Sequence, residues 1–253
     1  MSKAILSSIL GANLWALGSL HAAQVTWTTS PGVDDSEVST TGAQVFGYYF
    51  SASGGPPVAI VNTAPFVLQT STAPVAGLNY NGSYNNVEGI DLYQVPLGAG
   101  NSGLNMILDG QNWGAEAALT VIDLTPGQQY ELQFMISDDR PAFLNTRNYD
   151  VSDAIDPEGL RDIERAYHST RGGGVPAGAP PGSVEAKIFT GTFTADASGT
   201  QDIYNVLYEG VDHTGGNSGS QVNAIQVRLI PEPTTFAVMA AAFGLFGLRR
   251  RRS

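Results

Sequence analysis

The chain has 253 residues, 12 Lys plus Arg against 23 Asp plus Glu for a formal net charge of −11, and no Cys. The missing thiol excludes disulfide scaffolds, thiolate zinc sites, iron–sulfur clusters and Cys nucleophiles. The acidic balance argues against a nucleic-acid partner held by phosphate contacts, and against electrostatic docking on anionic lipid.

Residues 1–23 read MSKAILSSILGANLWALGSLHAA. Lys3 precedes an apolar stretch from Ala4 to Leu20, and the small pair Ala22-Ala23 suits signal peptidase. This order predicts a secretory signal peptide with its cleavage site after residue 23, beside His21. A core helix would not carry Gly11 and Gly18 in its apolar run.

Residues 24–230 form the exported body. Setting Glu232 aside from 23 acids, and Lys3 and Arg249–Arg252 from 12 bases, leaves 22 acids and 7 bases, a body near −15. Such charge favours solubility and attracts divalent cations. It disfavours an acidic polysaccharide unless a cation bridges the two.

Apolar and β-branched runs between turn residues predict strands at Val25–Thr28, Gln44–Phe50, Val58–Asn62, Phe66–Gln69 and Leu104–Leu108. Leu119–Leu124 follows, then the turn Thr125-Pro126-Gly127, where Pro presets the bend and Gly supplies a positive φ. The next run alternates cleanly. Tyr130, Leu132, Phe134 and Ile136 share one face, and Glu131, Gln133 and Ser137 share the other. Further strands are predicted at Ile188–Ala195, Ile203–Tyr208 and Val222–Leu229. In the last, Ile225, Val227 and Leu229 point inward and Gln226 and Arg228 outward. Short strands at this spacing predict an all-β fold: one antiparallel β-sandwich of jelly-roll type over residues 24–230.

One segment departs from the pattern. Asp156-Pro157-Glu158 has an N-cap acid, Pro at the first helical position and an acid in the first turn, and Leu160, Ile163 and Tyr167 share one helical face. A short helix over Pro157–His168 is predicted inside a long insertion, residues 141–187.

Residues 231–253 read PEPTTFAVMAAAFGLFGLRRRRS. Pro231-Glu232-Pro233 is followed by an apolar stretch from Phe236 to Leu248 and by Arg249, Arg250, Arg251 and Arg252. A bilayer crossing usually takes about 20 residues, so this stretch is short for one. The arginines stay on the cytoplasmic side and stop transfer, leaving the body outside. The tripartite tail closely resembles the PEP-CTERM sorting signal, whose parts are Pro-Glu-Pro, a transmembrane stretch and a basic cluster at the extreme C-terminus. The resemblance implies insertion in the inner membrane through the C-terminal helix, handling by the membrane enzyme exosortase, and release or attachment at the cell surface, often within an exopolysaccharide matrix. An ordinary C-terminal anchor is the alternative, but it needs no Pro-Glu-Pro.

The body has its own resemblance. Leu124-Thr-Pro-Gly-Gln-Gln-Tyr130, Ile136-Ser-Asp-Asp-Arg140, Gly191-Thr-Phe-Thr-Ala-Asp196 and Asn223-Ala-Ile-Gln-Val-Arg228 resemble segments of exported bacterial β-sandwich proteins that often end in a PEP-CTERM tail. Val38-Ser-Thr-Thr-Gly42 is similar to their N-terminal strand entry. The resemblance implies a galactose-binding-like jelly roll and carries no activity with it. Asp138-Asp139-Arg140 stands where that family favours Asp-Ser-Arg, and the insertion is long.

Candidate chemistry is sparse. The acids Asp138, Asp139, Asp150, Asp153, Asp156, Asp162 and Glu164 offer pairs for a polysaccharide-active hydrolase, but most acids of an acidic protein are solvated surface. His168 closes the predicted helix, where positive charge suits the dipole, and His213 lies in the polar run Asp212–Ser220. The body contains neither Gly-x-Ser-x-Gly nor His-Glu-x-x-His. No enzyme activity and no cofactor are therefore expected. Asp138-Asp139 and Asp212–Asn217 are oxygen-rich and offer ligands to a structural calcium, although neither has EF-hand spacing.

A sugar site needs an aromatic platform beside hydrogen-bonding groups. Trp27 reads as core. Trp113, between Gly110 and Gly114, reads as a loop platform, with Tyr80, Tyr84, Tyr93 and Tyr149 as further aromatics. Arg140 either binds a sugar hydroxyl or carboxylate, or is held by Asp138 and Asp139 and fixes its own loop. The Asn81-Gly-Ser83 sequon is an accidental match in a chain with a bacterial-type tail. The expected function is a non-enzymatic surface or matrix protein that binds a glycan, with Trp113, Asp138, Asp139 and Arg140 as its candidate ligand residues. A secreted polysaccharide-active hydrolase is the competing reading.

Overall fold

The computed structural model describes residues 24–32, 34–52, 54–71, 73–80, 84–88, 102–114, 117–137, 148–153, 166–169, 186–207 and 220–231. Strands β1 (Thr26–Gly32), β2 (Ala43–Phe50), β3 (Val58–Val61), β4 (Ala64–Gln69), β5 (Leu78–Tyr80) and β6 (Tyr84–Glu88) precede a short helix α1 (Ser102–Leu108). Then come β7 (Gln111–Gly114), β8 (Ala117–Val121), β9 (Gln129–Ile136), β10 (Asn148–Ser152), β11 (Ala166–Ser169), β12 (Ala186–Thr194), β13 (Gln201–Leu207), β14 (Ser220–Val222) and β15 (Ala224–Ile230). The fold is all-β.

Seven strands form the main sheet, in the order β1-β12-β9-β15-β2-β4-β3. A five-stranded sheet, β11-β10-β13-β8-β5, and a three-stranded sheet, β14-β7-β6, complete the architecture. All named strand pairs are antiparallel except β2–β4.

The predicted alternation sets the main core. Tyr130, Leu132, Phe134 and Ile136 of β9 pack with Phe189 and Phe193 of β12, Ile225 and Val227 of β15, and Phe46, Tyr48 and Phe50 of β2. Leu119 and Val121 of β8, Ile203 of β13 and Val151 of β10 enter the same cluster from the second sheet. This is a β-sandwich. Trp27 is partly buried against that cluster, in keeping with the core reading. The turn before β9 forms as expected: Gln128 N donates to Thr125 O at 3.2 Å, with Gly127 at φ 79°.

Four expectations are corrected. Leu104–Leu108 is helical rather than extended, because Leu104, Ile107 and Leu108 stand at i, i+3 and i+4 and are fully buried together, while Met106 is exposed. The end of the predicted helix Pro157–His168 is strand β11, with Tyr167 opposite Asp150 and His168 opposite Tyr149. Leu160 and Ile163 lie outside the described residues. The single strand expected over Val222–Leu229 is broken at Asn223 into β14 and β15.

The fourth correction concerns the outer face of the main sheet. Gln133, Ser137, Gln226 and Arg228 were expected to face solvent, and all four are buried. The segment from the 3-10 turn Asp35–Glu37 to Gly42 lies over Gln133, Gln226 and Arg228, while Ser137 is engaged by Asn223 and Gln221. Gln133 donates to Glu37 O at 2.9 Å and accepts from Ser39 N at 2.8 Å. Gln226 donates to Ser39 O at 3.1 Å and to Gln133 Oε1 at 2.6 Å. Arg228 donates to Thr41 O through Nε at 2.7 Å, and to Thr40 O and Gly42 O at 3.0 and 2.8 Å through one Nη. Satisfied donors make such burial affordable. Farther along the same face a second apolar cluster joins Val38, Tyr49, Phe66, Met135 and Ile188 to Leu104, Ile107 and Leu108 of α1.

Candidate functional site

The sandwich end where β9 leaves the main sheet is built around Asn223. Its backbone N donates to Met135 O at 3.0 Å, and its backbone O accepts from Phe50 N at 3.0 Å. Its side-chain oxygen accepts from Ser137 N at 2.8 Å. Its side-chain nitrogen donates to Leu108 O at 2.8 Å and Gly110 O at 2.9 Å. One buried residue, through its backbone and its side-chain amide, thus ties β2, β9 and the connection from α1 to β7. This explains the break between β14 and β15: Asn223 spends both backbone groups and its amide on cross-connections at the point where the chain changes sheets.

Gln221 extends the brace. Its amide nitrogen donates to Ser137 O at 2.7 Å. On its own strand, Gln221 stands opposite Trp113 in the β14–β7 ladder. Trp113 is therefore a strand residue rather than a loop residue, which corrects the expected loop platform. β7 is the middle strand of its sheet, so Trp113 also stands in register with Asn86 of β6.

Asp138, Asp139 and Arg140 lie outside the described residues, directly after Ser137. Gln221 consequently has Trp113 across the ladder and Ser137 at its side-chain amide. The two sequence-predicted pieces come from separate parts of the chain: Trp113 stands opposite Gln221 in the ladder, and the Gln221 amide reaches Ser137, the last described residue before Asp138. Sequence reasoning missed Ser137, Gln221 and Asn223. The polar residues Gln221 and Asn223 flanking Val222, where the strand's alternation is just beginning, were the available signal.

The anchoring groups among the described residues are neutral amides and backbone. Asn112, in register with Val222 on β7, is fully buried, and neither polar atom of its side-chain amide has a hydrogen-bond partner. The Ser137 hydroxyl is likewise buried without a partner. An unmatched buried polar group costs about 1–3 kcal/mol, so this end of the sandwich carries polarity that the fold itself does not use.

The other candidates do not gather here. Tyr80 ends β5, Tyr84 opens β6 and Tyr149 lies on β10. Asp153 accepts from Val25 N at 2.6 Å and so fastens the chain just before β1. Asp202 accepts from Thr120 at 2.6 Å. Together with burial, Asp202 raises the Tyr204 hydroxyl above the usual phenol range, burial being the larger cause. Tyr93, Asp156, Asp162, Glu164, His213 and Asp212–Asn217 lie outside the described residues. Among the described residues no three His, Asp or Glu side chains group as a metal site, and no helix is long and apolar enough to cross a membrane. Of the tail, Pro231 is described and exposed directly after β15, and Glu232, Pro233 and Arg249–Arg252 lie outside the described residues.

No protein-family model matches the chain, and no curated protein matches it. Three solved structures are similar in shape. A beta-glucuronidase of Bacteroides uniformis is 12% identical over 67% of this chain and 16% of its own, with a TM-score of 0.40. The ANX2 ectodomain of Arabidopsis thaliana is 10% identical over 76% of this chain and 54% of its own, with a TM-score of 0.43. The ANX1 ectodomain of the same plant is 10% identical over 75% and 49%, with a TM-score of 0.42. This chain spans less than two thirds of the length of each.

Proposed function

We propose that the chain is the precursor of an exported cell-surface or extracellular-matrix protein, sorted by exosortase through residues 231–253. Its mature body is a jelly-roll-type sandwich that binds an uncharged matrix glycan without transforming it. The binding surface is the sandwich end that carries Trp113 and Asp138-Asp139-Arg140. The observation that supports this reading is the position of Gln221, which stands opposite Trp113 in the strand ladder and whose side-chain amide donates to the carbonyl of Ser137, the residue before Asp138. An aromatic face beside neutral and ionic hydrogen-bonding groups suits sugar rings and their hydroxyls. A body near −15 disfavours an acidic polymer.

The test is retention of the full chain on a glycan array and on purified exopolysaccharide. Retention on neutral glycans is expected. Trp113→Ala and Arg140→Ala are each expected to weaken it about tenfold, equivalent to about 1.4 kcal/mol. Absence of binding to any glycan would remove the binding role and leave a structural one in the matrix. Release of shortened saccharides would favour the hydrolase instead.

A further inference from the structure

The first strand, β1, and the last, β15, both belong to the main sheet and run in opposite senses. Thr26, which opens β1, stands opposite Thr192, and Gly32, which closes it, stands opposite Ala186. On β12, Thr194 stands opposite Gln129 and Lys187 opposite Ile136. On β15, Ala224 stands opposite Met135 and Ile230 opposite Gln129. The start of β1 and the finish of β15 therefore lie at one end of the sandwich. Asn223, with its partners Phe50 and Ser137, lies at the other.

Both termini of the body are held close to that first end. Val25, the second residue after the expected cleavage site, is fully buried, and its N donates to Asp153 at 2.6 Å. Ile230 is still paired in the ladder, and only the five residues 231–235 separate it from Phe236, the first residue of the apolar stretch. The six steps from Ile230 to Phe236 span at most about 22 Å when fully extended. Pro231 and Pro233 also fix φ at two of the positions between. The seven steps from Asn223 to Ile230 span about 24 Å of strand. The tether is thus shorter than the strand it continues. With Phe236 at a bilayer surface, an inverted body would hold Ile230 farther away than the tether reaches.

We propose that the end of the sandwich carrying both termini faces the lipid surface while the tail is in the chain, and that the Asn223 end, with the Trp113 strand, is presented outward. This orientation rests on reading residues 231–253 as a membrane-inserted sorting tail. Tether length selects the lipid surface as the neighbour of this end, and charge does not. Asp123 and Asp196 lie here, on the turns joined by the Leu124 N to Gly199 O bond, and carboxylates are not drawn to anionic headgroups. The orientation is therefore expected on neutral lipid as well. It deepens the glycan reading, because the candidate site points away from the membrane before the tail is cut.

Because the chain lacks Cys, Ala197→Cys and Ala52→Cys each give a full-length protein with a single thiol. Ala197 is exposed in the turn between β12 and β13, at the end that carries the termini. Ala52 is exposed just after β2, at the Asn223 end. Each thiol is labelled with a fluorophore, and the protein is reconstituted in phosphatidylcholine vesicles that contain a lipid with a quencher on its headgroup. The label at residue 197 is expected to be quenched several-fold more than the label at residue 52. A long flexible Gly/Ser segment placed between Ile230 and Pro231 is expected to bring the two close to equality. Both labelled positions are exposed, so circular dichroism is expected to match the unaltered chain. Protein that floats with the vesicles but shows equal quenching, or stronger quenching at residue 52, would overturn the orientation and leave the tail reading standing. Protein that does not float with the vesicles would overturn both.

Discussion

Arg228 shows how one residue can be misplaced by an otherwise correct pattern. It sits between Val227 and Leu229 on an alternating strand, where alternation points it to solvent. It is instead 6% exposed, with carbonyls of Thr40, Thr41 and Gly42 around its guanidinium. Burial lowers its pKa, and the nearby Glu131 charge works in the opposite direction. Arg228→Met keeps the apolar stem but leaves those three carbonyls without their donors, and is expected to cost about 2–4 kcal/mol in urea unfolding. Gly42→Ala tests the same lid from the other side. Gly42 has φ 69°, and a Cβ there would stand 2.0 Å from Leu229 O, so a loss of about 2 kcal/mol or more is expected in the same assay. The strands were legible because alternation reports which residues face the main core. What covers the opposite face depends on the segment around residues 37–42, far away in the chain, and a two-residue period carries no record of it.

At the scale of elements, the brace at Asn223 decides whether the candidate site has a defined shape. Asn223→Ala removes the acceptor for Ser137 N and the donor for Leu108 O and Gly110 O. A loss of about 2–4 kcal/mol is expected, with hydrogen exchange accelerating first at Phe50 and Ser137, the two neighbouring amides that donate to this residue. If those amides keep native protection, the end of the sandwich is held by something other than this residue. The helix α1 was misread because Leu104–Leu108 is too short for a two-residue and a 3.6-residue period to be told apart with confidence from apolar content alone. The helix predicted at Pro157–His168 rested on capping and first-turn chemistry, which favour a start but do not secure an end. Pairing of Tyr167 and His168 with β10 took that end. Trp113 and Asp138–Arg140 were legible as residue types suited to sugars. The approach of Gln221 to both Trp113 and Ser137 was not legible, because it joins three segments distant in sequence.

The whole molecule is acidic, yet its clearest pH response is alkaline. Burial raises the hydroxyl pKa of Tyr48, Tyr49 and Tyr204 above the usual phenol value of 10.0. The unfolded chain then releases these protons at lower pH than the folded one. Their contribution to stability is fully present below pH 10.0 and is lost as pH rises through the folded-state values. Alkaline titration is expected to show delayed tyrosinate absorbance that appears together with loss of fold. Ionisation of all ten tyrosines near the usual value, with the fold intact, would contradict it.

Strand order also bears on the tail. β15 lies inside the main sheet between β9 and β2, and it runs directly into Pro231. A proposed cut at or after Pro-Glu-Pro would therefore leave every strand of the sandwich in place. Export and tail removal are the premises on which a matrix role rests, and both are read in one measurement: the mass of the C-terminal peptide of protein recovered from the cell surface and medium. The expected chain ends near Pro231–Pro233 and lacks Arg249–Arg252. An intact C-terminus, found only in the membrane fraction, would contradict sorting by exosortase and make the tail a plain anchor.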